Sequence, residues 1–512
     1  MPPHPRGTFI RCRLAELAAQ TSDLEAERAA LTAELDALPF PVLALPAEII
    51  SAIFYESLDL VAGHPVRVLL AICSVCRAWR AVAHATPALW TLVKIDSVWH
   101  RRPVTLLKFW LAKSKELPLD IGLRLSRRND PENLRVSRNV LKTLLMVAHR
   151  WRTVDVCCVH KGGPLTLPVI ENLCWPAQLP LLEIFTLTGL TFPQSEPPNP
   201  IGDATGLVSQ APHLRHLEIT PSPFQTPVGG PVLLPWLFAP SALSQLTEFC
   251  MAPSSWGDLL DFLSCTPALE TLSIYGGSCD RLYKRHQPTV LVTLPCLTTL
   301  HCVQNIGHVI VDNLTLPALR KWVTNVAGVV DKRNTGRLAN FLARSAGQLE
   351  ILTLLNVPLD SGADDGVVRS DGITQLFTLL PTVKELKLSY AALRPDVDAF
   401  SHYSPFEFEN MGRREMAGDT LLPLLETLHL EGLPRDDQWY LDTLAIWLRI
   451  RAKRYGGAMT IKSVEFSWRE FTEQALSDDL AEIETHGIKV KVQNSKLGFA
   501  RYTTSEQDTK GE

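Results

Sequence analysis

The stretch LETLHL at residues 425–430 carries apolar side chains at its first, fourth and sixth positions, and this pattern recurs along most of the chain. Five other clear copies are LLEIFTL from Leu181, in which Leu182 is the first position, LRHLEI from Leu214, LETLSI from Leu269, LEILTL from Leu349 and VKELKL from Val383. Weaker copies begin at Trp151, Leu246, Leu297, Leu319 and Ile461. The eleven first positions lie on average 31 residues apart, so the pattern predicts one strand in each of a series of structural repeats.

The segments between these strands account for the length of the repeats. Helical periodicity is present in LLDFLSCTP at 259–267, RLANFLARS at 337–345 and ITQLFTLLP at 373–381. Proline occurs 37 times in 512 residues, and it stops helices and directs the chain into the next strand. The longer connections at 193–200, 360–371 and 394–420 lack a clear period, and we interpret all three as solvent-exposed loops.

This organisation resembles that of leucine-rich-repeat proteins over roughly residues 150–470, and a first strand and helix extend it back to about residue 104. The resemblance implies an α/β fold, an irregular solenoid over 101–470 with parallel strands on the concave side and helices on the convex side. The asparagine that usually follows the last apolar position is clear only at Asn305, so we expect irregular curvature.

The C-terminal part of the chain is predicted to close the repeat array. Leu441, Leu444, Ala445 and Leu448 share one helical face, and a strand at 461–466 follows them. Residues 471–512 are then expected to form a capping helix and a flexible tail.

Residues 1–40 predict a long helix with an apolar seam. The seam positions alternate in steps of three and four residues, as Leu14, Leu17, Thr21, Leu24, Arg28, Leu31, Leu35 and Leu38. Charged residues flank the seam as in a coiled coil, but Thr21 and Arg28 interrupt it, and about three heptads is short for a stable pair. The seam therefore packs either within its own chain or against a second copy, in a homodimer through residues 14–38.

Residues 41–100 contain a motif with a specific partner. The sequence LPAEIISAIFYESLDLV is followed by VRVLLAICSVCRAWRAVAHATPALWTLVKI. The Leu-Pro opening, the Ile-Phe pair, Val-Cys-Arg-x-Trp-Arg and the closing Pro-x-Leu-Trp make this stretch resemble the F-box. In that family the corresponding face docks onto the Skp-type adaptor of a cullin-RING ubiquitin ligase. The resemblance implies this role for Leu45, Pro46, Ile49, Ile53, Val75 and Trp79.

The apolar content of this segment independently indicates a binding partner. About 50 residues in three short helices cannot bury so many large apolar side chains within their own interior. The alternative is a three-helix cap for the end of the repeat array, which an exposed solenoid end needs in any case.

Composition excludes several function classes. The formal net charge of −4 offers no basic field for nucleic acid, no stretch is long and apolar enough for a membrane span, and the N-terminus lacks a secretory signal. Eleven scattered cysteines indicate reduced thiols of a cytoplasmic or nuclear protein. Cys73-x-x-Cys76 and His213-x-x-His216 lack further ligands, and no catalytic or phosphate-binding motif is present, so we expect no enzyme, metal or cofactor.

Strand geometry predicts which side chains are available to a protein target. The third, fifth and seventh positions of each repeat point outward on the strand face. The strongest candidates for target binding are His216, Glu218, Glu248, Tyr275, His301 and Glu431. The ionised outward side chains comprise six acids and two bases, about −4 in all. We therefore expect an unphosphorylated target with a neutral or basic surface.

Two functions fit these observations. The first is a substrate receptor of an SCF-type ubiquitin ligase, in which the F-box binds the adaptor and the repeats hold the target. The second is a repeat scaffold that assembles proteins without ubiquitination, with the F-box-like segment serving only as a cap.

Overall fold

A computed structural model gives the structure of this protein. It describes residues 5–37, 45–60, 65–96, 103–127, 131–160, 178–188, 210–220, 238–251, 256–275, 291–303, 312–325, 335–345, 347–357, 373–390, 406–433, 438–455, 460–468, 483–484 and 487–494. The chain forms two compact units. Unit 1 comprises Met1–Lys94 and Phe109–Leu117, and unit 2 comprises Ile95–Lys108 and Pro118–Glu512.

Helices and strands alternate along most of the described chain. The helices are α1 (Pro5–Ala37), α2 (Ala47–Leu60), α3 (Pro65–Val75), α4 (Arg77–Ala85), α5 (Pro103–Lys113), α6 (Pro131–Leu145), α7 (Pro240–Leu243), α8 (Trp256–Ser264), α9 (Thr335–Ser345), α10 (Phe406–Met416) and α11 (Gln438–Arg454). The strands are β1 (Leu92–Asp96), β2 (Leu119–Arg127), β3 (Trp151–His160), β4 (Ile184–Thr188), β5 (His216–Thr220), β6 (Glu248–Met251), β7 (Thr271–Ile274), β8 (Val292–Thr293), β9 (Thr299–Cys302), β10 (Leu314–Thr315), β11 (Lys321–Asn325), β12 (Ile351–Val357), β13 (Glu385–Tyr390), β14 (Thr427–Leu433), β15 (Ser463–Trp468) and β16 (Lys489–Asn494). Residues 373–378 are also helical, so the three predicted helices between strands are confirmed.

Unit 1 is helical, and α2 packs against α3 and α4. The buried side of α2 consists of Ile50, Phe54 and Leu58, which are four residues apart and therefore share one helical face. Trp90 anchors the end of this unit. Its ring lies edge-on to Trp110, with centroids 4.7 Å apart, and its Nε1 donates a hydrogen bond to a backbone carbonyl at 2.8 Å.

Helix α1 confirms the long N-terminal helix predicted from the sequence. Its seam residues Leu14, Leu17, Leu24 and Leu31 remain 44–65% exposed. No other described segment covers this seam, so the packing within its own chain that the sequence allowed is not observed.

Unit 2 is built on a long parallel sheet, which makes the chain an α/β protein. The sheet has fourteen strands in the order β1-β2-β3-β4-β5-β6-β7-β9-β11-β12-β13-β14-β15-β16, and β8 pairs with β10 in a separate two-stranded sheet. The pairings described from β2 to β16 are all parallel. Neighbouring strands follow chain order with helices between them, and this arrangement is consistent with a leucine-rich-repeat-like solenoid.

The core of unit 2 follows the sequence pattern. All eleven predicted first positions are buried, and Trp151, at 3%, is the most exposed of them. The fourth and sixth positions also point into the core, as Leu428 and Leu430 do in the repeat that begins at Leu425. The predicted face of α11 is likewise buried. Repetition places like residues side by side, so each layer of the core is continuous across neighbouring strands.

A second ladder runs along the residues that precede the strands. The Glu350 amide donates to the Arg320 carbonyl at 2.8 Å, and the Lys384 amide donates to the Glu350 carbonyl at 2.8 Å. From Arg152, the second residue of β3, the ladder runs through Glu183, Arg215, Thr247, Glu270, Thr298, Arg320, Glu350, Lys384, Glu426 and Lys462. No two neighbours in it carry the same charge. Each exposed pair of oppositely charged neighbours contributes at most about 1 kcal/mol to the free energy of folding, but together these pairs favour the native order of the repeats.

One loop interpretation is wrong in its described part. Within 394–420, residues Phe406–Met416 form α10, whose Phe408 and Met411 are buried. The Phe408 ring packs against Trp447 of α11 at a centroid distance of 5.4 Å. Charged residues between the apolar positions conceal the helical period. The predicted loops at 193–200 and 360–371, Asn305, and most of the predicted helix and tail after residue 470 lie outside the described residues.

The parallel sheet also continues past the last predicted strand. β16 pairs in register with β15, from Ser463 opposite Lys489 to Trp468 opposite Asn494. The repeat pattern missed this strand because its first position is Gly487, which has a φ of +79° and no apolar side chain.

Candidate protein-binding surfaces

Two of the predicted adaptor-binding residues, Leu45 and Pro46, lie immediately before helix α2. The Pro46 carbonyl accepts hydrogen bonds from the amides of Ile49 at 3.0 Å and Ile50 at 3.1 Å, and so begins the helix. Glu48 lies in the first turn, where the helix dipole favours an acid. Leu45 and Pro46 are both exposed at this end.

Helix α2 carries two apolar stripes, of which the core uses only one. Ile50 and Phe54 are 5% and 2% exposed, whereas Ile49 and Ile53 are 49% and 48% exposed. A helix that served only as a cap would need the buried stripe alone. The exposed stripe is therefore available for a partner.

Helix α3 repeats this division. Its Leu69 is buried, while Leu70 is 46% and Val75 is 60% exposed. We define the α2–α3 apolar surface as six exposed apolar residues on these two helices and just before α2. They are Leu45, Pro46, Ile49, Ile53, Leu70 and Val75. Leu70 was not among the residues selected from the sequence, because the motif does not distinguish it from its buried neighbour.

Trp79 differs from the other predicted adaptor-binding residues. Its ring is half-buried and packs on Phe54, with ring centroids 5.0 Å apart. Its backbone amide donates to Cys76 Sγ at 3.4 Å, which caps the start of α4. Trp79 therefore contributes to the packing of unit 1 as well as to its surface.

Cys73 and Cys76 lie at the α3–α4 junction. Cys73 is buried, and burial raises the pKa of its thiol. The Cys73 carbonyl accepts a hydrogen bond from Arg80 Nε at 2.7 Å, which satisfies a carbonyl in the last turn of α3. Both cysteines thus have structural roles at this junction.

The second candidate surface is the open face of the sheet, formed by the outward third, fifth and seventh positions of the repeats. His216 lies on β5 between two carboxylates. Its Nδ1 is 2.8 Å from Glu248 on β6, and its Nε2 is 3.9 Å from Glu218 on β5. Glu218, together with Glu248, raises the pKa of His216, while burial acts in the opposite direction. The structure thus brings three predicted target-binding residues into one cluster.

His301 has a different environment on the same face. Its Nδ1 lies 3.5 Å from the Ser273 hydroxyl, and its Nε2 is buried with no hydrogen-bond partner among the described residues. Burial and the nearby Lys321 lower the pKa of His301, so the imidazole is held neutral. Tyr275 lies immediately after β7 and is half-buried. The neutral imidazole and the tyrosine suit polar and aromatic contacts more than ionic ones.

Glu431 belongs to a separate cluster. It lies on β14, four strands beyond β9, or roughly 20 Å away at a strand spacing of about 4.8 Å. Its carboxylate lies 2.5 Å from Lys387 Nζ. On the same strand, His429 lies 3.3 Å from Glu385 and 3.1 Å from Glu465. The six predicted target-binding residues therefore form two regions of one face.

Two strands beyond the eleven repeats change the charge of this face. β2 adds Asp120 and Arg124, and β16 adds Lys489 and Lys491. From β2 to β16 the face then holds seven acids and five bases, a balance of −2 in place of the expected −4. Lys491 Nζ lies 2.6 Å from Glu465, and the hydrogen bond from Lys491 is the main reason why the pKa of the Glu465 carboxyl is lowered. The alternation of valine and lysine at 489–492 is the sequence signal that could have identified these bases.

Two kinds of feature are absent from the described part of the chain: metal-ligand groups and membrane-spanning helices. It contains no group of three or more histidine, cysteine, aspartate or glutamate residues suited to hold a metal ion. None of its helices combines the length and the hydrophobicity needed to cross a lipid bilayer.

Comparisons with known proteins do not assign the chain to a family. No protein-family model matches the sequence, and no curated protein matches it either.

Proposed function

We propose that this protein is the substrate-recognition subunit of an SCF-type ubiquitin ligase. Residues 41–100 act as an F-box that binds a Skp-type adaptor and, through it, a cullin, and the repeats hold a protein target. Catalysis then occurs on other subunits, and this chain contributes by positioning the target. The reduced cysteines fit a cytoplasmic or nuclear location.

The observation that carries this proposal is the second apolar stripe of α2. The F-box-like motif and exposure select the same residues, because Ile49 and Ile53 are about half exposed on a helix that already has a buried stripe. Their burial in an interface would be favourable by about 25 cal/mol per Å² of apolar area. Charged residues at Glu48 and Arg67 are also exposed, as expected at the polar rim of an interface.

The test is binding of a purified Skp-type adaptor and cullin to the full chain. Ile53→Asp should weaken adaptor binding by more than about tenfold, because a carboxylate would be buried in an apolar contact. Met146→Asp is the matched control, because Met146 is apolar and 81% exposed but lies outside unit 1. A wild-type chain that binds no adaptor, or equal binding by the two variants, would reject the proposal.

A second variant separates adaptor binding from capping. Replacing Leu45 and Pro46 together with alanine should abolish adaptor binding while the sheet of unit 2 stays folded. Loss of helical circular dichroism across the whole chain would instead favour the cap, and with it the non-ubiquitinating scaffold.

We further propose that the target binds the open face without a phosphate group. In the His216 cluster two carboxylates lie against one imidazole, whereas phosphate recognition normally uses clustered arginine. Tyr275 is a suitable anchor, because tyrosine is common at the centres of interfaces. Dephosphorylation of the captured target should leave its binding to the full chain unchanged, and loss of binding would contradict this assignment.

A further inference from the structure

Helix α1 has an apolar face that no other described segment covers, and its charges indicate what binds there. The helix is 33 residues long, about 50 Å, and its seam leucines are 44–65% exposed. Isolated helices are marginal in water, and most helical stability in proteins comes from packing of an apolar face. From the charges on this helix, we infer that two copies of the chain pair through α1 in antiparallel orientation.

The charges of α1 are divided between its two ends. The first part carries the bases Arg6, Arg11 and Arg13, whereas residues 16–37 carry six acids and one base. The first turn contains no acid and the last turn no base, which is the reverse of what the helix dipole favours. In an antiparallel pair the basic end of each helix lies beside the acidic end of the other, so both the charges and the dipoles become complementary.

The seam fixes the register of such a pair. Antiparallel seam positions meet when their residue numbers add to 45, which places Leu14 of one copy opposite Leu31 of the other and Thr21 opposite Leu24. Arg28 then meets Leu17, where its alkyl stem can pack while the guanidinium reaches solvent. These three layers each occur twice by symmetry.

The flanking positions agree with the same register. Arg13 of one copy lies beside Glu34 of the other, which adds two intermolecular ion pairs to the dimer. Within a single chain, Arg13 already contacts Glu16 at 2.8 Å, but both groups are about 60% exposed and remain free to rearrange. A parallel pair would place Arg28 against Arg28 in the seam and Arg6 beside Arg11 at its edge. The antiparallel arrangement is therefore the favoured one, and it does not depend on the proposed function.

The test is the association of the full chain, measured by sedimentation equilibrium from about 1 to 100 μM at low salt. We expect a concentration-dependent dimer. Leu24→Asp should raise its Kd by more than about tenfold, because each dimer buries two copies of this leucine. Ala26→Asp is the matched control, since it lies on the opposite side of α1 and should leave the Kd nearly unchanged.

A charge exchange tests the orientation. Arg13→Glu and Glu34→Arg should each weaken the dimer severalfold, and the double variant should restore it, because exposed ion pairs contribute up to about 1 kcal/mol each. Circular dichroism of each variant verifies that α1 remains helical. A chain that stays monomeric over the whole range, or equal effects of the two aspartate variants, would overturn the inference. A double variant no stronger than its singles would overturn the antiparallel orientation.

Discussion

The buried ion pair between α10 and α11 yields a quantitative prediction. Arg451 is fully buried, and its Nη1 donates to Glu415 Oε1 at 2.8 Å and to the Leu421 carbonyl at 2.7 Å. Its Nη2 donates to the Leu422 carbonyl at 2.5 Å. One side chain thus donates to one oxygen of a carboxylate and to two backbone carbonyls. Removal of one partner from a buried pair costs about 3–5 kcal/mol, because the other charge stays buried and uncompensated.

The pKa directions indicate what the pair itself contributes. Burial is the largest influence on both groups; it raises the pKa of Glu415 and lowers that of Arg451. Desolvation therefore outweighs the mutual attraction for each partner. Replacement of both partners by apolar residues should then cost much less than replacement of either one.

Hydrogen exchange of peptides from 438–455 measures this effect locally, since global unfolding of a chain with two units is not a two-state process. Arg451→Met should accelerate exchange of α11 by about 10²- to 10⁴-fold, which corresponds to 3–5 kcal/mol of local opening free energy. Lys453→Met is the matched control on the same helix, because Lys453 is exposed. Its effect should stay within about 0.5 kcal/mol, or roughly twofold.

The double variant Glu415→Leu/Arg451→Met shows whether desolvation or mutual attraction dominates the contribution of this ion pair to stability. If desolvation dominates, it should recover most of the stability lost in either single variant. Additive losses, or an effect of Arg451→Met as small as that of Lys453→Met, would refute the reasoning.

Two further predictions concern the open face and a tight strand end. The pKa of His216 is raised, so its contribution to folding stability is present below pH 6.5 and is lost as the pH rises through the folded-state pKa. The pKa of His301 is lowered, so its contribution is present above pH 6.5 and is lost as the pH falls below that value. Variants to glutamine should therefore change the local stability of β5 and β9 with opposite pH dependence in hydrogen exchange, and parallel curves would contradict this. Gly432→Ala should destabilise β14 by more than about 1–2 kcal/mol, because φ is +77° and a Cβ would lie 3.1 Å from a backbone oxygen of Tyr390. Gly418→Ala, with φ +106° and open space, should show only the backbone part of that cost, as judged by hydrogen exchange.

The sequence predicted the features of the fold that repeat. The period of 31 residues located eleven strands, because each requires the same three buried positions, and those positions can be recognised without knowledge of their neighbours. β16 was missed because Gly487 replaces the first apolar residue, and α10 was missed because its buried residues are separated by charged ones. The charge ladder from Arg152 to Lys462 could not be recognised from local sequence, because its members become neighbours only when the repeats stack.

The same distinction applies to the candidate surfaces. On α2 the motif selected Ile49 and Ile53 for adaptor binding, which stays a prediction, and the structure leaves both side chains about half exposed beside the buried Ile50. On the open face the outward positions were also predicted correctly, because alternation along a strand determines them. Their pairing was not predictable, since His216 and Glu248 are 32 residues apart and meet only through strand register.

This pairing limits what net charge can do on the open face. Glu218 and Glu248 hold His216, and Glu431 holds Lys387, so a target that used these carboxylates would have to displace partners already in contact. Charge attraction across the face is therefore weaker than a count of acids suggests, and binding of the proposed target would have to come mainly from shape and from anchors such as Tyr275. Reversal of an acid would disturb its histidine or lysine partner as well as a target. Replacement of Glu248 by glutamine, which keeps the shape of the side chain, is thus the more informative substitution for identifying the target-binding region.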